Sequence, residues 1–111
     1  MPKQSAALTR TFAALADPTR RRIVERLSRA PASVSELAKP LAMSLPAVVQ
    51  HLHVLEESGL IRSEKTGRVR TCHIERKAIA GAQTWLGKQY AMWNARFDRL
   101  DALLENKGEP K

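Results

Sequence analysis

The stretch from residue 33 to residue 57 constrains the fold more than any other, because it holds the start signals of two short helices in close succession. Ser33 opens the S-x-x-E pattern of a capping box, in which side chains satisfy free backbone N–H groups at a helix start. Ser44 caps a second helix, for which Gly59 is placed as the terminator. Only the two residues 42–43 separate the helices. This spacing predicts a helix-turn-helix unit.

Two further helices are predicted before this unit. Leu8 and Phe12 lie on one apolar stripe of helical spacing, which predicts a helix over 5–16. Asp17-Pro18 then supplies an N-cap and a proline at the first helical position of a second helix. The Ala-Pro-Ala segment at 30–32 is interpreted as a break that ends this helix.

Two short extended runs follow the helix-turn-helix unit. They cover 60–65 and 69–74, and Thr-Gly-Arg at 66–68 supplies the turn between them. The pattern predicts a β-hairpin over 60–75.

The last long stretch, 77–105, carries apolar residues at alternating steps of four and three. A repeat of 3.5 residues places these side chains in one seam that suits packing against another helix. The seam consists of Leu86, Tyr90, Trp93, Phe97, Leu100 and Leu104. This seam, like the stripe of Leu8 and Phe12 on the first helix, suits the core or a dimer interface. We prefer this interpretation to a ligand-binding box of aromatic residues around Trp85.

Size and charge limit the function classes. One domain over 1–111 is expected, since domains commonly take about 100–200 residues. A formal net charge of +8 and a pI near 10.4 indicate a polyanionic partner, because a pI above about 9 is typical of nucleic-acid-binding domains. A single cysteine, and the lack of any apolar run as long as a signal peptide or a membrane span requires, predict a cytoplasmic protein without a membrane partner.

The order helix, helix, helix-turn-helix, hairpin, helix in a strongly basic chain is that of a winged helix. We therefore expect a mainly α fold with a small β-hairpin: a three-helix core and a wing, with N- and C-terminal dimerisation helices. In such a fold one helix, here 44–57, enters the major groove of double-stranded DNA, and the hairpin touches the backbone or the minor groove.

The candidate base contacts lie on the face of helix 44–57 opposite its apolar residues. They are Pro46, Ala47, Val49, Gln50 and His53. Gln50 can pair bidentately with adenine, and Val49 or Ala47 can pack on a thymine methyl group. The alternative for Gln50 is a solvated surface side chain. His51 is different, because it lies beside the apolar residues and is expected to be packed and hydrogen-bonded.

Phosphate contacts are expected at two helix starts and at the hairpin tip. The hydroxyls of Ser33 and Ser44 sit where N–H groups and the helix dipole favour an anion, although both would cap their helices without DNA. The side chains of Lys65, Arg68 and Arg70 supply cations for phosphates or for a narrow minor groove. The three arginines at 20–22 leave two hypotheses open, a solvated helix face or phosphate contacts.

The sequence shows little sign of a metal site or of a catalytic site. The only soft or imidazole ligands are Cys72, His51, His53 and His73, and neighbours among them point to different faces, so we expect neither a metal site nor a cofactor. Cys72 is interpreted as a buried, inert thiol in a strand. No Ser-His-Asp set, glycine-rich phosphate loop or close carboxylate pair is apparent, so we expect no enzymatic activity, and a small nuclease is the least favoured hypothesis.

Four segments together resemble the ArsR-type winged-helix repressors. Residues 12–23, FAALADPTRRRI, are similar to the passage between the first two helices of that family. Residues 43–52, MSLPAVVQHL, with 55–61, LEESGLI, resemble the recognition helix and its exit, and GRVR at 67–70 resembles the wing. The resemblance extends over about 8–104 and implies a bacterial or archaeal homodimeric repressor that binds an inverted-repeat operator, with the first and last helices as the dimer interface.

Several departures from the family pattern narrow this expectation. Val49 stands where the family usually has serine, and Cys72 stands where the wing usually has an aromatic residue. Segment 35–41 lacks the cysteine of the metal-sensing members, and 77–105 contains no histidine. The resemblance therefore does not imply metal sensing, and any small-molecule effector is unidentified.

The rival hypothesis is a docking module, a winged helix that binds a protein through the same seam and has little specific affinity for DNA. The exposed cations of the hairpin distinguish these two hypotheses. If the protein binds DNA, they make its affinity for DNA depend on the salt concentration, whereas a docking module shows no such effect.

Overall fold

Helices form most of the chain, and a small antiparallel sheet lies among them. The computed structural model describes residues 3–108, and the side chains of residues 6–105. In chain order the elements are α1 (Lys3–Leu15), α2 (Pro18–Arg29), β1 (Ala32–Ser33), α3 (Val34–Ala38), a 3₁₀ turn (Lys39–Leu41), α4 (Leu45–Glu57), β2 (Ile61–Thr66), β3 (Val69–Ile74) and α5 (Arg76–Gly108). The predicted helices and hairpin are confirmed, with shifts of a few residues at their ends.

The sheet has its strands in the order β1-β3-β2, all antiparallel. Within the hairpin the register runs from Ile61 opposite Ile74 to Thr66 opposite Val69. This pairing places Gly67, at φ +62°, in the turn, where only a residue that tolerates the left-handed region fits without strain.

The third strand corrects the interpretation of 30–32 as nothing more than a helix break. Ala32 is buried and pairs with Cys72, and Ser33 pairs with Thr71. The helix does end here, but the chain then joins the sheet for two residues before α3 begins. A strand this short has no periodic pattern, and its partner is distant in sequence, so only the tertiary fold specifies it.

The core lies between α2, α3, α4 and the sheet. It consists of Ala14, Ile23, Leu27, Ala32, Leu37, Val48, Leu52, Leu55, Leu60, Ile61 and Cys72. Its members on α4 are Val48, Leu52 and Leu55, which the helical period of the sequence predicts to lie on one buried face.

Side chains cap the helices at the predicted positions. The Asp17 carboxylate accepts a hydrogen bond from the Arg20 backbone N–H at 3.0 Å and begins α2. Ser33 and Glu36 form both halves of the capping box at α3. The hydroxyl of Ser44 accepts from the Ala47 N–H at 3.3 Å and begins α4. Local sequence thus sets where each of these helices starts.

The end of α4 is a Schellman motif. The Leu60 N–H donates to the Leu55 carbonyl and the Gly59 N–H to the Glu56 carbonyl, both at 3.0 Å. Gly59 takes φ +80°, which confirms its predicted role as terminator. The motif turns the chain directly from α4 into β2.

The turn of the helix-turn-helix unit carries local strain. Ala42 has φ +52°, so a residue with a Cβ occupies the left-handed region between the 3₁₀ turn and α4. This conformation costs an L-residue about 1–2 kcal/mol. Three residues, 42–44, connect the 3₁₀ turn to α4, and Ala42 is the one in the left-handed region.

The distal part of α5 stands away from the core. This helix has 33 residues and a length of about 50 Å. Every residue from 91 to 105 is exposed. The radius of gyration is 20.2 Å, whereas a compact chain of this length has about 13 Å. Within residues 3–108, none of the helices combines the length and apolarity that a bilayer crossing requires.

Candidate nucleic-acid interface

The structure separates α4 into a buried face and an outer face. Val48 and Leu55 have no exposed surface, which anchors the helix. The outer face carries the five candidate base contacts, of which Ala47 is half-buried and the other four are exposed: Pro46, Val49, Gln50 and His53. Val49 is 50% exposed, so its side chain is accessible on the outer face. The helical period therefore predicted which side chains are free to contact a ligand.

One residue of the outer face has a competing partner. His53 Nε2 lies 3.0 Å from Glu57 Oε1 one turn later in α4, and both side chains are about two-thirds exposed. A base contact by His53 must replace this pair or use the other ring nitrogen. The sequence interpretation missed Glu57, although the i, i+4 spacing of the two residues signals the pair.

The two helix starts differ in their electrostatics. At α3, Glu36 Oε1 accepts from the Ser33 backbone N–H at 3.0 Å, and these contacts lower the pKa of Glu36. The resulting carboxylate opposes a phosphate at that end. The first turn of α4 contains no acidic residue, so Ser44 is the better placed of the two predicted phosphate contacts.

The hairpin tip concentrates positive charge. Lys65 lies directly opposite Arg70 across the strands, and Arg68 follows the turn glycine. Like charges in this cross-strand relation destabilise a sheet by a few tenths of a kcal/mol, up to about 1. All three side chains are exposed. A polyanion bound at the tip would relieve the repulsion.

Arg70 is oriented by a small polar network that sequence reasoning missed. Its Nη1 donates to the Ser63 hydroxyl at 2.8 Å, and that hydroxyl donates to Glu56 Oε1 at 2.5 Å. The network ties the hairpin to the end of α4. Within residues 6–105, Lys65 and Arg68 form no hydrogen bond or ion pair, so they remain available to a ligand.

The arginines at 20–22 all donate hydrogen bonds to backbone carbonyls of neighbouring elements, and Arg21 and Arg22 remain exposed. Arg20 donates to the Ala14 carbonyl at 2.7 Å and Arg21 to the Leu15 carbonyl at 2.8 Å. These carbonyls belong to the end of α1, where a helix has unsatisfied acceptors and favours cations. Arg20 and Arg21 therefore fix α2 against α1, whereas Arg22 donates to the Pro40 carbonyl at 3.3 Å, and no local sequence signal indicated these roles.

His51 is packed, as predicted. Its side chain is 19% exposed, and Nδ1 lies 3.3 Å from Arg20 Nη1 and 3.9 Å from Asp17 Oδ2. The hydrogen bond from the Arg20 backbone is the main cause that lowers the pKa of Asp17. One residue of α4 thus joins the contact between α1 and α2.

Cys72 is completely buried between β1 and β2, which confirms the prediction for this thiol. Burial is the main cause that raises its pKa and keeps it a thiol. Among the described residues, no group of three or more His, Cys, Asp or Glu side chains could hold a metal ion.

The seam of α5 lies open on the surface. Tyr90 is 69% and Trp93 64% exposed, and the other four members are at least half exposed. Leu8 is half-buried and Phe12 exposed on α1, where the Phe12 ring meets Trp85 edge to face at 5.8 Å. Three other exposed apolar residues of α5 lie outside the predicted seam: Trp85, Met92 and Leu103.

Comparison with known proteins gives consistent matches. A family model described as a helix-turn-helix domain matches residues 15–64. The HTH-type transcriptional regulator Rv2034 of Mycobacterium tuberculosis is 37% identical over 100 residues, 90% of this chain and 91% of the relative. The transcriptional repressor SdpR of Bacillus subtilis is 23% identical over 79 residues, 71% of this chain and 88% of the relative. A crystal structure of an ArsR family transcriptional regulator, RHA00566, has 51% identity and a TM-score of 0.78, with 85% of this chain and 97% of that chain covered.

Proposed function

Since the chain belongs to the ArsR family of winged-helix transcriptional regulators, we propose that it is a homodimeric repressor that binds an inverted-repeat operator through α4 and the hairpin. The observation that carries the proposal is the outer face of α4. An exposed apolar and amide surface on a firmly anchored helix, beside a cationic hairpin, suits a groove lined by phosphates. We treat 1–111 as one functional domain.

The outer face of α4 supplies the sequence preference. Gln50 reads adenine, Val49 and Ala47 pack on thymine methyl groups, and Pro46 and His53 border them. Each good base contact contributes about 1–3 kcal/mol of discrimination. Ser44, in preference to Ser33, holds a phosphate at the helix start, and Lys65, Arg68 and Arg70 add the salt-dependent contacts of the wing.

The seam of α5, with Leu8 and Phe12, forms the dimer interface. It is a row of large apolar side chains at coiled-coil spacing that this chain alone leaves in solvent. A second copy covers it most simply, since symmetric homodimers are by far the commonest assemblies. The two copies of α4 would then meet half-sites about 34 Å apart, one turn of DNA.

The sign of regulation and the site of action follow from the same relatives. SdpR is a transcriptional repressor, and we extend repression to this chain. Regulation of transcription rather than catalysis is the role of the family. A regulator that binds operator DNA works in the cytoplasm, and we propose that a small-molecule effector controls it.

Selection of binding sites from random duplex DNA at about 150 mM salt tests the proposal. We expect palindromic winners that the protein prefers over scrambled duplexes by at least about a thousandfold. Weak binding that is indifferent to sequence would contradict the proposal and favour the docking module instead.

A further inference from the structure

A cavity of about 640 Å³ lies beside α1. Its walls come from α1, from the first half of α5 and from the turn after α4. The lining residues that matter below are Leu8, Thr11, Gly59, Gly81, Trp85 and the two lysines at 77 and 88. This volume is in the range of small-molecule sites in proteins, about 300–1,000 Å³.

The cavity shares Leu8 with the proposed dimer interface, but its lining on α5 lies outside the seam. At 100° per residue, Lys77, Gly81 and Lys88 lie about 140–180° around α5 from Leu86, a member of the seam. On the other side of α1, a separate apolar groove contains Phe12 and is continuous with the seam. A second copy that covers the seam therefore leaves open the side of the cavity formed by Lys77, Gly81 and Lys88.

The interior of the cavity is mostly apolar, and the Ser58 hydroxyl in its wall donates to the Leu55 carbonyl at 2.8 Å. Leu8 and the Trp85 ring form the apolar walls, and Gly59 and Gly81 leave the floor without side chains. The Thr11 hydroxyl donates to the Ala7 carbonyl at 3.1 Å. A Cβ built on Gly81 meets no atom within 4 Å, so the space in front of this glycine is empty rather than filled by a neighbour.

The rim of the cavity carries uncompensated positive charge. Among the described side chains that line it, the only acidic one is Glu75, which accepts a hydrogen bond from Arg62 Nε at 2.8 Å and is paired with that guanidinium. Among residues 6–105, Lys77 and Lys88 form no ion pair. An apolar interior with cations at both ends favours an amphipathic anion over a neutral molecule or a cation.

We infer that this cavity binds an amphipathic organic anion, with its apolar body against Trp85 and Leu8 and its acidic group at Lys77 or Lys88. The site deepens the proposed function, because Gly59 in its wall belongs to the Schellman motif that ends α4. A bound ligand thus touches the dimerisation helices and the end of the DNA-reading helix at the same time. The inference rests on the proposed function in one respect, namely that a second copy covers the seam.

Fluorescence titration of the full chain with 8-anilinonaphthalene-1-sulfonate, without DNA, tests the binding. We expect decanoate to displace this probe at least about tenfold more effectively than decan-1-ol, which has the same apolar chain and no charge. Equal displacement by the two competitors would overturn the inference.

Two pairs of variants locate the probe. Because a Cβ at Gly81 meets no atom within 4 Å, Gly81→Leu should extend into the cavity and weaken probe binding at least about tenfold, whereas Gly81→Ala should retain it. Lys77→Gln with Lys88→Gln should weaken binding by a similar factor, and the two single variants show which lysine holds the acidic group. The control is Arg96→Gln with Arg99→Gln, which removes the same charge from the distal part of α5.

Probe binding by Gly81→Leu at the wild-type level would place the probe elsewhere, for example on the seam, and would also overturn the inference. Because glycine destabilises a helix interior, Gly81→Leu should fold at least as well as the wild type. Operator binding by the same variant is measured in parallel. A wild-type protein that binds the probe and no specific DNA would contradict the proposed repressor and leave this site standing.

Discussion

The half of the molecule around α4 and the half formed by α1 and α5 differ in how far their apolar residues are buried within one chain. In the first, each helix has its own caps and its apolar residues are buried, so that Leu55 has no exposed surface. In the second, the apolar residues of α5 beyond residue 90 are all exposed. In our proposal, the half around α4 is complete in one chain, whereas the half formed by α1 and α5 is completed by a second copy.

The largest effect should come from the core of the first half. Leu55→Ala leaves a cavity under α4 and should lower the free energy of unfolding by about 2–5 kcal/mol. Leu100→Ala deletes the same atoms from a half-exposed seam position and should cost less than half as much. Chemical denaturation of both variants measures the difference, and equal losses would contradict the division into two halves.

A charge placed in the seam should separate dimerisation from folding. Phe97→Glu should raise the dimer dissociation constant by at least about thirtyfold, a loss of about 2 kcal/mol, because the interface would bury an unpaired carboxylate. Ala95→Glu adds the same charge on the opposite face of α5 and should change it little. Sedimentation equilibrium measures both constants. Similar behaviour of the two variants would mean that the seam is not the interface.

Neutral substitutions at the hairpin tip should weaken the dependence of DNA affinity on salt concentration. Lys65→Gln with Arg68→Gln should reduce the slope of log affinity against log salt by about 0.9 for each cation that neutralises a phosphate. Sequence preference should persist, because base contacts belong to α4. The double variant Arg96→Gln and Arg99→Gln is the control, and titrations at several salt concentrations give the slopes. An unchanged slope at the tip would remove the wing from the interface.

The smallest effect concerns the turn before α4. Ala42→Gly should raise the free energy of unfolding by about 0.5–1 kcal/mol, because glycine adopts φ +52° without the strain of a Cβ. Ala38→Gly, at φ −71° in α3, should instead lower it by a similar amount. Thermal or chemical denaturation distinguishes the two signs. A loss of stability for both glycines would show that the turn is not strained.

The sequence predicted those structural features whose physical causes lie within a few residues of one another. The caps Asp17 and Ser44 and the terminator Gly59 act within one helical turn, so their pattern located the helices correctly. The buried face of α4 followed from its period, and with it the exposure of Gln50.

Features that depend on distant parts of the chain were not predictable. Ala32 forms a strand because Cys72 lies beside it in the fold. Arg20 binds the carbonyl of Ala14 because α2 turns back along the end of α1. Ser63 orients Arg70 only because two strands and the end of α4 meet there. None of these contacts leaves a periodic or capping signal in the sequence.

The mass of the complex with a selected operator, measured by light scattering during size-exclusion chromatography, tests the central claim most directly. We predict two chains on one palindromic duplex, and much weaker binding to a duplex that carries a single half-site. One chain bound to the half-site duplex as tightly as to the full operator would contradict the account, because the seam of α5 would then serve no dimer.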